Sequence, residues 1–221
     1  MVEKIDVNIT IEEVNKRLLE QNDRVAESIR KMLSEKGIMA VEFLGGPGSG
    51  KTSLIERLSI LIGPSKVAYI GGDVATSFDT ERISKLGVRA VQINTGGICH
   101  LEALHVEKAL KTLNLEGIRY LFIENVGNLI CPFEFDVGSH VRVLVVSAGE
   151  GEDKFLKHPM SAALSNVIVV NKVDLAPHVG VDVEKMVRDA RKINGQAKVV
   201  VTSAKTGEGI KELAEALKLK L

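Results

Sequence analysis

The chain carries one stretch built for phosphate: Gly45-Gly46-Pro47-Gly48-Ser49-Gly50-Lys51-Thr52. It fits the pattern G-x-x-x-x-G-K-[ST]. Glycines at this density let backbone N–H groups turn inward and wrap a row of phosphate oxygens. Lys51 has the reach for the β- and γ-phosphates, and the Thr52 hydroxyl suits a magnesium ion. Gly46, Pro47, Gly48, Ser49, Gly50, Lys51, Thr52 and Ser53 are therefore the expected phosphate-binding residues. The flanks agree. Ile38 to Leu44 reads as a mostly buried strand, and Thr52 to Leu58 as the first turns of a helix whose N-terminus faces the anion.

A second stretch is suited to reading a base. Asn171-Lys172-Val173-Asp174 ends an apolar run and matches N-K-x-D. The Asp174 carboxylate can accept from the N1–H and the 2-amino group of guanine, neither of which adenine offers. Charge-assisted bonds contribute about 1.5–3 kcal/mol each. Two of them give roughly 3–6 kcal/mol, or about 10²- to 10⁴-fold selectivity. Lys172 can lie along the base and back towards the phosphate loop. Ser203-Ala204-Lys205 fits the companion motif, with backbone donors for the guanine oxygen. GTP is the expected ligand.

Carboxylates and thiols occupy other strand ends. Gly71-Gly72-Asp73 is followed by Asp79, and Glu124-Asn125-Val126-Gly127 closes a further strand. Cys99-His100 follows Thr95-Gly96-Gly97, and Cys131 lies seven residues past Glu124. Seven residues span at most about 25 Å, which keeps both cysteines on the nucleotide side of the sheet. Thiolate and imidazole are ligands for zinc and nickel. By spacing alone the cysteines read as buried packing residues and His100 as a solvated helix start. By position they read as three ligands of a site that water or a second subunit would complete, since tetrahedral sites take four.

These residues need a scaffold that delivers them to one edge. From Ile38 onward short β-branched runs alternate with helical stretches, which predicts a mostly parallel sheet with helices on both faces. Strands are expected at 38–44, 66–70, 88–93, 119–124, 141–147, 167–171 and 198–202. Helices are expected at 51–62, 79–86, 100–114, 182–193 and 208–219. Ligands of such sheets sit at the carboxyl ends of the strands. Residues 125–140 are rich in Gly, Asn and Pro and read as a long functional loop. Ahead of the domain at 38–221, residues 1–37 form a helical extension. Thr10 with Glu13 makes a capping box, and Ile11, Val14, Leu18, Val25, Ile29 and Met32 share one stripe. Such a face either covers the sheet or docks a partner.

Bulk properties narrow the function class. Net charge is zero, which leaves no basic field for nucleic acid or for a membrane surface. Aromatic residues are 4% with no Trp, too few for a base-stacking surface. No apolar run is long enough to span a bilayer, and the N-terminus lacks an apolar signal region. The expectation is a cytoplasmic protein whose two cysteines are thiols.

Ile123-Glu124-Asn125-Val126-Gly127-Asn128-Leu129-Ile130-Cys131-Pro132, with Glu134-Phe135-Asp136, resembles the signature of the HypB family. Its members are nickel-incorporation GTPases of nickel–iron hydrogenase maturation. Gly71-Gly72-Asp73-Val74, Asp79-Thr80-Glu81-Arg82, Gly96-Gly97-Ile98-Cys99-His100 and Gly149-Glu150-Gly151-Glu152-Asp153-Lys154 match as well. Urease accessory GTPases differ in carrying Cys-Pro-His, whereas Cys99 here touches His100 directly.

The resemblance implies a P-loop GTPase fold with slow intrinsic hydrolysis. Lys51 and Thr52 would serve the phosphates and Mg2+. Asp73 and Glu124 would hold magnesium or position water, and Asp79 would orient the attacking water. Cys99, His100 and Cys131 would form a Zn2+ or Ni2+ site near the interface of a GTP-dependent homodimer, with Lys154 reaching the nucleotide across it. A HypA-type nickel chaperone and the hydrogenase large subunit would be the partners. Residues 1–38 contain no Cys and no His, so no N-terminal nickel store is expected. Two rival classes share the phosphate loop: a small-molecule kinase, which would need an arginine-rich lid, and a regulatory scaffold that binds GTP without turnover.

Overall fold

The structure is a computed structural model that describes residues 11–220, with side chains from Lys16 onward. The expected capping box at Thr10 and Glu13, and the Ile11 and Val14 side chains, lie outside the described residues. The chain opens with helix α1 (Ile11–Glu35), strand β1 (Met39–Leu44) and helix α2 (Lys51–Ile62). It continues through β2 (Val67–Asp73), α3 (Phe78–Ser84), β3 (Arg89–Asn94), α4 (Ala103–Thr112) and β4 (Tyr120–Glu124). After a long loop come β5 (Val141–Ser147), α5 (Lys154–Lys157), α6 (Pro159–Ala163), β6 (Val167–Asn171) and α7 (Ala176–Val179). The last elements are α8 (Val183–Ile193), β7 (Lys198–Val201) and α9 (Ile210–Ala216).

The strands form one seven-stranded sheet in the order β3-β2-β4-β1-β5-β6-β7, and every strand pairing is parallel. β1 lies between β4 and β5, with Phe43 paired to Glu124 and Leu44 to Leu144. Its carboxyl end feeds the glycine loop into α2, which puts that loop over the centre of the sheet edge. The expected strands all form, within a residue or so at most ends. β2 is the exception: it runs on to Asp73, carrying Gly71 and Gly72 into the sheet beside β3 and β4.

Alternation along β1 divides the core. Val41 and Phe43 face α2 and α9, with Tyr69, Phe122 and Val169. Phe43 and Phe122 meet edge to face at 5.5 Å between ring centroids. Ala40 points to the other face, among Ile70, Leu121 and Ile123 under α1 and α4. Leu44 packs on that face with Val146, Ile168 and Met186 of α8. Helices α5, α6 and α7 escape sequence reading because four or five residues, two of them opening on or next to proline, show no 3.6-residue periodicity.

Helix α1 buries a narrower face than its apolar stripe suggests. Ala26, Ile29 and Leu33 enter the core, whereas Leu18 is 57% exposed. Among the described side chains of the helix the first buried one is Asn22, whose amide donates to the Asp136 carbonyl at 2.8 Å and accepts from the Ala103 N–H at 2.8 Å. Arg30 donates to the Ser139 carbonyl at 3.0 Å and pairs with Asp136. One helix thus ties the start of α4 to the end of the long loop.

Candidate functional site

Helix α2 begins directly after Gly50, which adopts φ +101°. A Cβ there would lie 2.2 Å from the Asn171 amide nitrogen, so only glycine fits. The approach is close because Asn171 donates to the Ser49 carbonyl at 2.9 Å. Lys172 is held at φ +59°, an unusual conformation for a residue with a side chain. Its ammonium donates to the Gly48 carbonyl at 2.6 Å. The N-K-x-D motif and the glycine loop, over 120 residues apart in sequence, therefore brace each other.

Two neighbouring cavities share Gly50, Ser53 and Lys172. One, of about 330 Å³, is lined by Lys51, Thr52, Asp73, Asp79, Arg82 and Glu124 among others. The second, of about 460 Å³, is lined by Arg57, Asp174, Ala204 and Lys205 among others. The first has the chemistry for a phosphate chain and the second for a base. Asp174 accepts from the Ser203 hydroxyl at 2.6 Å. Asn171 spends its carbonyl on the Thr202 hydroxyl and the Ala204 N–H. One of the companion motif's backbone donors thus turns inward, to Asn171. Arg57, which carries no motif, donates to the carbonyls of Ala204 and Lys205 at 2.7 and 2.9 Å and sets the shape of that turn.

Lys51 is buried and donates to the Gly45 and Gly46 carbonyls, each at 3.2 Å. Burial pulls its pKa down, against the pull of Glu124, Asp79, Glu150 and Asp73. Glu124 is buried at the end of β4 and is pushed up by that burial, with Lys51 and two hydrogen bonds opposing. Those bonds come from the Thr52 hydroxyl and the Tyr69 phenol, both at 2.8 Å. Asp73 faces the same cavity. Burial pushes it up, but the Thr76 hydroxyl and the Val74 and Thr76 amides outweigh that and leave it below the usual carboxylate range. Asp79 sits in the first turn of α3, half exposed, 3.3 Å from Arg82. Arg82 also reaches Glu56 at 2.6 Å and lines the cavity.

The sulfur residues lie at the same edge. Cys131 opens a 3-10 turn, Cys131–Phe133, within the long loop. The nearby Cys131 thiol, ahead of burial, pushes the Cys99 thiol up. The Cys99 sulfur is 3.8 Å from His100 Nδ1. The His100 ring stacks on Phe135, 3.9 Å between centroids and 15° between planes. Its Nε2 is buried without a hydrogen bond, 3.5 Å from Glu102. Burial lowers the His100 pKa and keeps the ring neutral, the form that ligates metal. The structure thus makes Cys99 a neighbour of both other candidates. Among the described residues, though, no three His, Cys, Asp or Glu side chains converge on one metal position. Stacking on Phe135 holds the His100 ring.

Tyr69 and Arg57 join the site without motif signals, because each acts through a partner distant in sequence. Lys154 pairs with Glu150 of its own chain at 3.3 Å. No helix among the described residues is long and apolar enough to cross a membrane.

A family model for the CobW/HypB/UreG nucleotide-binding domain matches residues 40–201. The chain is 48% identical over 204 residues to the probable hydrogenase maturation factor HypB of Methanocaldococcus jannaschii, covering 92% of each. The crystal structure of HypB from Archaeoglobus fulgidus superposes with a TM-score of 0.84 at 45% identity, over 90% of this chain and 98% of that one. HypB from Helicobacter pylori in complex with nickel gives 0.85 at 32% identity, over 90% and 94%.

Proposed function

The chain belongs to the CobW/HypB/UreG family, and on that premise we propose that it hydrolyses GTP to time nickel delivery during nickel–iron hydrogenase maturation. One observation carries the reading. Glu124 accepts from Thr52 on the phosphate side and heads the loop that leads to Cys131. A change at the terminal phosphate is thereby one peptide segment away from a metal ligand. Gly127 lets that segment lie close against the phosphate loop, since a Cβ there would come 3.0 Å from Pro47 Cα.

Magnesium fits the phosphate cavity. Asp73, Asp79, Glu124 and Glu150 all act on Lys51, and a phosphate chain beside four carboxylates needs a further cation. Thr52, Asp73 and Glu124 offer the hard oxygen donors that magnesium prefers. The ion would supply charge neutralisation at the phosphates. The protein supplies the rest: Lys51 and the loop N–H groups hold the phosphates, Asp174 selects guanine, and Asp79 orients the attacking water. The products are GDP, phosphate and a proton. Positioning and electrostatics account for most of such a reaction.

Nickel is the cargo. Cys99, His100 and Cys131 hold it, the neutral imidazole and two thiolates forming a soft, three-ligand site that also admits zinc. An open fourth position suits a metal that must be handed on. The protein works as a GTP-dependent homodimer in the cytoplasm, receives nickel from a HypA-type chaperone and serves the hydrogenase large subunit. Residues 1–37 are an extension and residues 38–221 the GTPase domain. The client is hydrogenase, since Cys99 runs into His100 with no intervening proline.

The test is a nickel titration of protein loaded with GDP or with a non-hydrolysable GTP analogue, followed by size-exclusion chromatography, beside a phosphate-release assay. Different nickel affinities in the two forms, with turnover of GTP and not ATP, are expected. Equal affinities would sink the coupling, and turnover only with an added acceptor would make the protein a kinase.

A further inference from the structure

Beneath the Cys/His site lies a buried polar group that neither the nucleotide chemistry nor the metal ligands use. Glu42 is on β1, in a strand otherwise filled by apolar side chains, and is fully buried. A buried carboxylate is costly unless its oxygens are met by donors. Here both are met. One oxygen accepts from the Asn125 amide at 2.7 Å, and the other lies 3.3 Å from Arg142 Nε and 3.4 Å from the Ser139 hydroxyl.

Each partner reaches a different half of the site. Arg142 donates to the carbonyls of Phe133 and Phe135, at 3.4 and 2.9 Å. It thereby pins the loop that starts at Cys131 and sets the ring that stacks on His100. Asn125 accepts from the Leu101 N–H at 2.9 Å, which fixes the backbone one residue past His100. Asn125 is also the residue after Glu124, the carboxylate held by Thr52. The Phe43 carbonyl accepts from the Asn125 N–H at 3.1 Å, so the strand end cannot shift alone.

We propose that Glu42 and Arg142 are positioning residues that join the nucleotide-facing end of β4 to both halves of the Cys99, His100 and Cys131 site. This rests on the reading that those three residues bind nickel in a nucleotide-dependent way. A displacement of Glu124 moves Asn125. Asn125 moves the Leu101 backbone directly, and moves the Phe133–Phe135 backbone through Glu42 and Arg142. Without the carboxylate the two metal-bearing segments lose their common anchor, although every metal ligand and every nucleotide contact is still present. Interior groups with fixed partners can carry such coupling because packed networks have discrete arrangements.

The test uses the full chain and nickel alone as the probe. Glu42→Gln keeps shape but faces one donor with another donor, so either Asn125 or Arg142 loses its acceptor. Arg142→Lys keeps the cation but cannot span two carbonyls, and it carries the test should Glu42→Gln fail to fold by circular dichroism. Nickel affinity is measured with GDP and with a non-hydrolysable GTP analogue, and the nickel–thiolate absorption band is recorded in each form. For wild type the two affinities differ by at least about fivefold. For either variant the ratio falls to within twofold of one and the band no longer moves with nucleotide, while the KM for GTP stays within about twofold. A folded variant that keeps the wild-type ratio and band shift overturns the inference alone. A wild-type protein that binds no nickel, or binds it equally in both forms, overturns the reading beneath it and the inference together.

Discussion

The nucleotide half and the sulfur half of the sheet edge are built on opposite plans. The phosphate and base motifs hold each other directly: Asn171 reaches Ser49, Lys172 reaches Gly48, and Gly50 exists to let them meet. The sulfur half meets the nucleotide loop by one isolated backbone bridge, Gly45 to Asn128, and among the described residues no side-chain hydrogen bond joins Cys99, His100 or Cys131 to that loop. His100 is fixed by a stacked ring, and the Cys131 loop by carbonyls bonded to Arg142. A rigid half that reads a ligand and a half hung on a few buried bonds suit a device in which the first moves the second. The difference predicts where substitutions act locally and where they spread.

The largest effect belongs to the rigid half. Lys51→Ala is expected to cut GTP hydrolysis on the order of 10³-fold in a phosphate-release assay, while nickel binding to nucleotide-free protein is unchanged. A fall in that nickel affinity would break the division into two halves. Asp174→Asn comes next. It removes the acceptor for two guanine donors and should cost about 10²-fold in preference for GTP over xanthosine triphosphate, read by competition. Unaltered selectivity would remove Asp174 from the base site.

Glu42 tests the sulfur half through stability. Burial pushes its pKa up to about 7, with Asp136 adding to that and Arg142, Asn125 and Ser139 opposing. The folded protein therefore keeps a proton that the unfolded chain gives up at the ordinary carboxyl value. The resulting stability is fully present below that ordinary value and is lost as the pH rises through about 7. It amounts to ~3 kcal/mol at most. Denaturant unfolding of wild type should weaken across this window relative to Glu42→Gln, and parallel curves would contradict the sign. Cys131→Ala should weaken nickel binding by at least about tenfold with the KM for GTP unaffected; a titration indistinguishable from wild type would leave Cys131 as packing. The smallest effect is at the junction. Tyr69→Phe removes one of the two donors to Glu124 and should slow hydrolysis by about fivefold, equivalent to ~1 kcal/mol. A loss as great as that of Lys51→Ala would make the phenol part of the chemistry.

Much of this was legible in the chain. The order of strands and helices follows from apolar runs that alternate in length and period, and β1, α2 and β6 begin or end where punctuating glycine and the motif residues place them. The contributions of Tyr69, Arg57 and Arg142 were not legible. Each is an ordinary residue in an ordinary strand or helix, and its role is a bond to a partner whose position depends on strand order. β3-β2-β4-β1-β5-β6-β7 is not the order of the sequence, so no spacing rule connects Glu42 with Arg142 or Tyr69 with Glu124. The apolar stripe of α1 was legible, and its Val25, Ile29 and Met32 pack on the core while Leu18 is exposed.

The sequence by itself determined the glycine-rich loop, the N-K-x-D motif, the parallel α/β scaffold and the family, because those depend on backbone conformations that a few consecutive residues impose. Only the tertiary structure decided that Glu124 is shared by Thr52 and Tyr69, that His100 lies against Phe135, and that one buried carboxylate lies under both arms of the sulfur site. The physical reason is range. A turn is set by its own residues, whereas a buried polar group is set by whatever donors the packed sheet brings within about 3 Å of it.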